Sequence, residues 1–78
     1  MPRRARNPMP ADVRQRLLDE QLMDDYDERP AYQRNDYLGW IGRAKRDETR
    51  QKRIDQMVDE LRAGGVYMKM AHAPSARD

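Results

Sequence analysis

The apolar positions of the chain fall into three stripes with helical spacing, separated by polar or proline-containing stretches. The residues of the first stripe recur about once per helical turn: Val13, Leu17, Leu18, Leu22 and Tyr26. Such spacing is typical of an amphipathic helix. Two acidic residues in its middle, Asp19 and Glu20, leave open whether the segment forms one helix or two short helices with a bend. The segment is bounded by Pro10, which suits a first helical turn, and by Pro30, which disfavours helical backbone at the residue before it.

The second and third stripes share one spacing, with apolar residues at i, i+3, i+4 and i+7. The second stripe consists of Tyr37, Trp40, Ile41 and Ala44. The third consists of Ile54, Met57, Val58 and Leu61. We therefore expect one face of each predicted helix, including Tyr37 and Trp40, to join the core. Gly64 and Gly65 predict the end of the last helix, because glycine readily adopts the left-handed conformation that closes helices.

A polar stretch, residues 44–53, connects these two stripes and could continue one helix or separate two. In an unbroken helix the stripes would point about 100° apart, whereas a break near Arg46–Asp47 lets both face one core. Helix propensity favours continuity by only a few tenths of a kcal/mol per residue, but burying a large apolar side chain yields about 1.5–3 kcal/mol. The sequence therefore predicts a chain reversal, with Asp47, or alternatively Thr49, as the N-cap of the next helix.

Two glycines, Gly39 and Gly42, flank the centre of the second stripe. Each lowers the stability of a helix by roughly 1 kcal/mol relative to alanine. We interpret them as room for the indole of Trp40 or for the close approach of a neighbouring helix.

The length of 78 residues favours a single domain. The three stripes predict an all-α fold, a small three- to four-helix bundle with disordered N- and C-terminal tails. We place a disordered basic tail at residues 1–9, the helical domain at residues 10–65, and a flexible or loosely packed tail at residues 66–78. The stretch VYMKM in this last segment alternates apolar and polar residues as an extended chain does.

The charge of the chain is nearly balanced but segregated along it. There are 16 basic and 14 acidic residues, for a net charge of +2. Residues 11–29 carry three basic and seven acidic side chains, and residues 30–53 carry seven basic and three acidic ones. This segregation suits charge matching between helices as well as it suits an acidic partner.

Several function classes find no support in the composition. There is no cysteine, which excludes disulfides and thiolate metal sites, and the single histidine, His72, lies in the predicted tail. The acidic residues 24–28 lack the glycine and final glutamate of a calcium loop. A core this small offers no pocket that would separate the pKa values of paired carboxylates. We therefore predict a non-enzyme with no catalytic residues, no metal and no cofactor.

The chain also lacks the signals of a membrane or secreted protein. No apolar run approaches the length of a transmembrane helix. The basic first ten residues are not followed by the apolar segment of a secretory signal. The expectation is a cytoplasmic protein without a membrane span.

The residues around the predicted reversal match the pattern W-I-x-x-A-K-x-x-E-T-R-x-x-R-I. They are Trp40-Ile41, Ala44-Lys45, Glu48-Thr49-Arg50 and Arg53-Ile54. The pattern resembles the C-terminal helical domain of the YdeI/OmpD-associated, or bacteriocin-protection, family, and the similarity extends over roughly residues 10–64. The resemblance implies a turn near E-T-R, where family members often carry a proline. It also implies structural roles for the motif residues Tyr37, Trp40, Ile41, Ala44, Glu48, Thr49, Ile54 and Leu61.

The basic residues at the reversal are the candidates for an anion- or partner-binding site: Lys45, Arg46, Arg50 and Arg53. Arg50 and Arg53 lie one turn apart, and such a cluster near a helix N-terminus could hold a phosphate or carboxylate. The alternative is structural. An arginine would then stack on Trp40, and Lys45 or an arginine would pair with a carboxylate of the acidic first segment.

The predicted function is that of a small non-enzymatic helical interaction domain. Its resemblance to bacteriocin-protection proteins implies a role in tolerance of antimicrobial peptides or envelope stress, by an unknown mechanism. The expected partner is a protein or another anionic molecule. The alternative is a nucleic-acid-binding domain of the helix-turn-helix type. The basic residues within 30–53 favour this alternative, while the acidic flanks and the low net charge oppose it.

Overall fold

The computed structural model describes residues 7–71 of the chain. Within them, four helices precede a short antiparallel hairpin: α1 (Ala11–Asp19), α2 (Met23–Asp27), α3 (Ala31–Gly42), α4 (Asp47–Ala63), β1 (Val66–Tyr67) and β2 (Met70–Ala71). The predicted small all-α bundle is confirmed. No helix in this part of the chain has the length and apolar character needed to cross a membrane. The predictions for residues 1–6 and 72–78 lie outside the described residues.

The first stripe forms two short helices, α1 and α2, rather than one long one. The chain leaves α1 through Gln21, whose φ of 59° lies in the left-handed region. The amide of Leu22 donates to the carbonyl of Leu17 at 2.9 Å. The amide of Gln21 donates to the carbonyl of Leu18 at 3.1 Å, which completes a Schellman motif. The bend brings Leu22 into the core but leaves Leu18, another apolar residue of the first stripe, 43% exposed.

The chain reverses between α3 and α4, at the predicted position. Arg46 is extended, with ψ of 145°, and Asp47 begins the next helix. The predicted caps are wrong, because Arg46 occupies the N-cap position and makes no side-chain capping hydrogen bond. Asp47 and Glu48 instead lie in the first turn, where their charges favour the helix dipole. The predicted end is confirmed at Gly64, whose φ is 89°.

The core contains apolar side chains from all four helices and from Leu22, which lies between α1 and α2. Its residues are Val13, Leu17, Leu22, Tyr26, Tyr37, Leu38, Ile41, Ile54, Met57, Val58 and Leu61. Trp40, predicted as a core residue, is half-buried and packs against this cluster, while Leu38 outside the stripe is buried. Ala44 lies beyond the end of α3 and is partly buried. The burial of α3 is broader than its stripe, because the hairpin as well as α4 packs against it.

The hairpin makes specific contacts where the sequence predicts a loosely packed tail from residue 66 onward. The hydroxyl of Tyr67 donates to Asp36 Oδ2 at 2.6 Å. Its ring meets that of Tyr37 edge-on, with 5.5 Å between the ring centroids. These contacts hold the hairpin against α3.

The segment before α1 also lies against α3, at Gly39. The Asn7 amide donates to Asn35 Oδ1 at 2.8 Å, and Asn7 Nδ2 donates to the Asn35 carbonyl at 3.1 Å. A Cβ at Gly39 would lie 2.9 Å from Asn7 Nδ2, so a larger residue there would displace the Asn7 side chain from its present position. The element that approaches Gly39 is thus the N-terminal segment and not a helix. A Cβ at Gly42 would meet nothing within 4 Å, so packing does not explain that glycine.

Candidate partner-binding surface

The reversal between α3 and α4 presents three basic side chains to solvent. Arg43, Lys45 and Arg46 are exposed, and we call them the basic turn. The side chain of Arg46 is 81% exposed and lies 3.6 Å from Glu48, itself at the surface. Among the residues that the structure describes, Arg43 and Lys45 have no carboxylate within 4.0 Å. An exposed ion pair such as Arg46–Glu48 contributes little free energy, so Arg46 can leave Glu48 and bind a carboxylate of a partner instead. All three charges of the basic turn are therefore accessible to a partner.

Arg50, by contrast, connects two helices. Its Nε donates to Asp12 Oδ2 at 2.8 Å, and its Nη2 donates to Asp12 Oδ1 at 2.9 Å. Nη1 also reaches the carbonyl of Ile41 at 3.5 Å. The two-pronged pair holds the first turn of α4 against the first turn of α1, in the geometry that suits a guanidinium and a carboxylate.

Arg53 closes the carboxyl end of α3. Its Nη1 donates at 2.6 Å to the carbonyl of Trp40, one of the last four carbonyls of that helix. Its guanidinium carbon lies 5.2 Å from the centroid of the Trp40 ring, within the range of a cation–π contact. One side chain therefore satisfies a terminal carbonyl and covers the indole.

The four predicted binding residues thus separate into two pairs. Lys45 and Arg46 project into solvent, whereas Arg50 and Arg53 make the contacts of the structural alternative, with Asp12 and Trp40. Sequence reasoning missed Arg43, which stands at an unspecified position of the family pattern. The one sequence feature that could have identified Arg43 is its position two residues before Lys45, at the edge of the predicted basic cluster.

A groove beside the basic turn runs between α3, the hairpin and the segment before α1. Its volume is about 530 Å³, and we call it the α3 groove. Its walls include Asn7, Trp40, Arg43, Tyr67 and Met68. Since Arg43 belongs to both the groove and the basic turn, the two features form one continuous surface.

A second groove, of about 510 Å³, runs along α4 beside the hairpin. The exposed charged residues that line it are Lys52, Asp55, Asp59 and Lys69. Two positive and two negative charges give it no preference for an anion or a cation. No three His, Cys, Asp or Glu side chains within residues 7–71 come together as a metal site requires.

Buried Glu60 holds the turn of the hairpin, and sequence reasoning did not identify it. Its Oε1 accepts the Tyr37 hydroxyl and, at 2.7 Å, the Met68 amide. Its Oε2 accepts the Lys69 amide at 2.8 Å and Gln56 Nε2 at 3.1 Å. Burial raises the pKa of Tyr37, and the hydrogen bond to Glu60 raises it further. Both oxygens of this carboxylate are therefore occupied by hydrogen bonds that hold the hairpin and α3 against α4.

Arg29 is the second buried charge and joins the end of α4 to the hairpin. It is 5% exposed. Nη2 donates to the Glu60 carbonyl and Nη1 to the Val66 carbonyl, each at 2.8 Å, and Nη1 also reaches Gln33 Oε1 at 3.2 Å. A cation suits the negative end of the α4 dipole. The network fixes the hairpin, and with it one wall of the α3 groove.

The Asp12–Arg50 pair predicts a specific dependence of stability on pH. The hydrogen bond from Arg50 holds the pKa of Asp12 below its ordinary value of 3.8. The pair therefore stabilises the domain above pH 3.8, and that contribution is lost as the pH falls through the lower pKa of the folded state. At neutral pH we expect Asp12→Asn to lower the free energy of unfolding by at most about 1 kcal/mol, because the carboxylate is partly exposed.

Thermal unfolding followed by circular dichroism, from neutral to acid pH, measures this contribution. The gap in Tm between the parent protein and Asp12→Asn should close below pH 3.8. Asp59→Asn, at an exposed position of α4, is the matched control and should change little at any pH. A gap that stays constant across the range would show that Arg50 does not stabilise the Asp12 charge.

Comparison with known proteins places the chain in a family. The model of the family described as bacteriocin-protection, YdeI or OmpD-associated, matches residues 8–64. No curated protein and no solved structure matches the chain. The family match covers all four helices and most of the 78 residues. The chain therefore belongs to the bacteriocin-protection, YdeI or OmpD-associated family.

Proposed function

We propose that this domain is a non-enzymatic interaction module whose basic turn holds an anionic partner. The observation that carries the proposal is the division within the basic cluster. Arg50 and Arg53 are engaged inside the fold, while the three cations of the basic turn extend into solvent at one place. The engaged arginines hold α1, α3 and α4 together, and this rigid frame supports the accessible charges.

The physiological role that we propose is tolerance of antimicrobial peptides or envelope stress, exerted from the cytoplasm. The family description supports bacteriocin protection as the general context. A non-enzymatic mechanism is supported by Glu60, the one buried carboxylate among residues 7–71, because its oxygens are already occupied by structural donors. A general base must be able to reach a substrate proton, and Glu60 is not positioned to do so.

Binding to nucleic acid is the weaker alternative. The helical pair α3–α4 and the basic turn favour it in outline. In a helix-turn-helix protein, however, the first residues of the recognition helix contact base edges in the major groove. Here α4 begins with Asp47 and Glu48, whose carboxylates would repel the phosphates on either side. We therefore favour a protein partner.

Charge reversal at the basic turn tests the proposal in cells. The variant Lys45→Glu with Arg46→Glu is compared with Lys52→Glu, which changes an exposed lysine of the charge-balanced groove on α4. We expect expression of the parent protein to increase survival of a bacteriocin-sensitive host. The double variant should lose that protection and Lys52→Glu should keep it, with the Tm of both within a few degrees of the parent. Full protection by the double variant would refute the role of the basic turn.

A salt titration separates the two kinds of partner. Binding to random duplex DNA that is measurable at low salt and falls steeply with added salt would support the nucleic-acid alternative. We expect no binding at low salt, since a net charge of +2 offers few phosphate contacts.

A further inference from the structure

We propose that the α3 groove binds a short acidic segment of a partner protein. An apolar side chain of that segment would lie against Trp40 and Met68, and its carboxylates would pair with Arg43 and the rest of the basic turn. This inference rests on the proposed function and specifies the class of its partner.

The groove contains apolar surface that a peptide side chain can cover. Trp40 and Met68 both line it, and both are only partly buried although they pack against the core. Indole and thioether groups are large and polarizable, and they are enriched where proteins bind one another. An aliphatic or aromatic side chain would bury this surface and gain its hydrophobic free energy.

The charge beside this apolar surface favours an acidic segment, because the three cations of the basic turn outnumber Asp36, the one carboxylate that lines the groove. Arg43 lines the groove, is exposed, and has no carboxylate within 4.0 Å among the residues that the structure describes. The groove also contains the carboxylate of Asp36, which accepts the Tyr67 hydroxyl at 2.6 Å. A guanidinium pairs with a carboxylate through two parallel hydrogen bonds, which favours a glutamate or aspartate over a neutral residue.

The walls of the groove are held in place before a partner arrives. At Gly39, a Cβ would lie 3.2 Å from Arg43 Nη1 and closer still to Asn7, so the bare backbone lets both side chains rest on α3. On the opposite wall, the Met68 amide is held by Glu60 at 2.7 Å. Because these walls are already ordered, binding loses little conformational entropy in them.

A protein segment fits this surface better than a single-stranded nucleic acid does. Bases bind such sites by stacking on exposed aromatic rings along a basic track. The indole of Trp40 is half-buried and already lies beneath the Arg53 guanidinium. The basic turn is short, so it offers no extended basic track along which successive phosphates could bind. A mixed acidic and apolar peptide is complementary to both parts of the surface.

The fluorescence of Trp40, the single tryptophan of the chain, provides a direct measurement. The probe is a short peptide of glutamates with one central leucine. Two further peptides serve as controls, one with lysines in place of the glutamates and one with alanine in place of the leucine. We expect a saturable change in Trp40 emission with the glutamate–leucine peptide and weaker binding of both controls. Equal binding of all three peptides, or no response to the first, would overturn the proposal.

Variants of the groove locate the binding. Arg43→Gln should raise the Kd of the peptide roughly tenfold, which corresponds to the loss of one charge-assisted hydrogen bond. The control variant, Lys52→Gln on α4, should leave the Kd unchanged. Met68→Gly removes the thioether at a position whose φ of 51° suits glycine. It should weaken binding, while the lost contact with the core lowers the Tm by only a few degrees. Unchanged affinity in both groove variants would place the peptide elsewhere and refute the proposal.

Two further outcomes distinguish the groove from the proposed function on which it rests. If reversal of Lys45 and Arg46 abolishes protection in cells but the peptide does not bind, the groove assignment is wrong and the basic turn stands. If protection survives that reversal, the proposed function itself fails. Sedimentation that shows self-association, together with no response to the peptide, would assign the groove to a second copy of the chain and overturn the proposal.

Discussion

Replacing Glu60 with glutamine is expected to destabilise the domain by about 3 kcal/mol, because the new amide group faces donors instead of accepting from them. The carboxylate accepts hydrogen bonds from the Tyr37 hydroxyl, from the Met68 and Lys69 amides and from the Gln56 side chain. Glutamine keeps the shape and one acceptor oxygen, but its nitrogen cannot accept from the donors on the other side. At 4% exposure, water cannot substitute for the lost acceptor.

Backbone conformation increases this effect. Met68 and Lys69 have φ of 51° and 64°, a left-handed pair that two-residue hairpin turns usually fill with asparagine and glycine. Such backbone persists only where surrounding contacts hold it, and here the Glu60 carboxylate binds both amides. We therefore expect the hairpin to open locally in Glu60→Gln, before the helices unfold.

Urea unfolding measures the change in free energy, and amide hydrogen exchange at Met68 and Lys69 reports the local opening. A loss of about 3 kcal/mol should lower the Tm by roughly 15 °C in a domain of this size. Asp59→Asn makes the same chemical change at the neighbouring exposed position and should alter the free energy of unfolding by less than about 0.5 kcal/mol. Equal stability of the two variants would show that the buried carboxylate does not support the hairpin.

Replacing Arg29 with methionine should also lower the free energy of unfolding by about 3 kcal/mol. The reason is the loss of hydrogen-bond donors, because the two side chains have similar volumes. The guanidinium serves the Glu60 and Val66 carbonyls and the Gln33 side chain. Terminal carbonyls of a helix need such partners when they are buried. Methionine fills a similar space but leaves these acceptors without a donor.

Thermal unfolding of Arg29→Met should be compared with that of Arg14→Met, which changes an exposed arginine of α1. We expect the Tm of Arg29→Met to fall by roughly 15 °C and that of Arg14→Met to change by only a few degrees. Retention of the parent Tm by Arg29→Met would mean that the α4 carbonyls find other donors, and that the buried charge is not needed.

The last two helices and the reversal between them were predictable because the information is local, whereas the sequence left open whether the first stripe forms one helix or two. The i, i+3, i+4, i+7 spacing located α3 and α4, and the phase difference between their stripes located the reversal at Arg46. Some local details carried no sequence signal. Gln21, Met68 and Lys69 adopt left-handed backbone without being glycine or asparagine, since tertiary contacts outweigh the local preference of each residue.

The candidate site was predictable in location but not in composition. A run of basic residues lies at the α3–α4 reversal. Local sequence does not indicate which of these side chains form ion pairs or hydrogen bonds within the domain. Arg50 is engaged by Asp12, 38 positions away in the chain. Likewise, sequence reasoning did not identify Arg29 or Glu60, because their main partners lie 23 to 37 positions away in the chain or belong to a hairpin too short to predict.

Local sequence was enough to specify the helical class, the reversal after α3, the end of α4 at Gly64 and the family, because periodicity and motif spacing depend on neighbours within a few turns. Which charges are buried, which arginines connect the helices and which cations remain accessible became clear only from the folded chain. The burial and pairing of a charge depend on residues that are distant in the chain but close in space. A buried or paired charged side chain is chemically the same as a solvated one, so only its surroundings distinguish them.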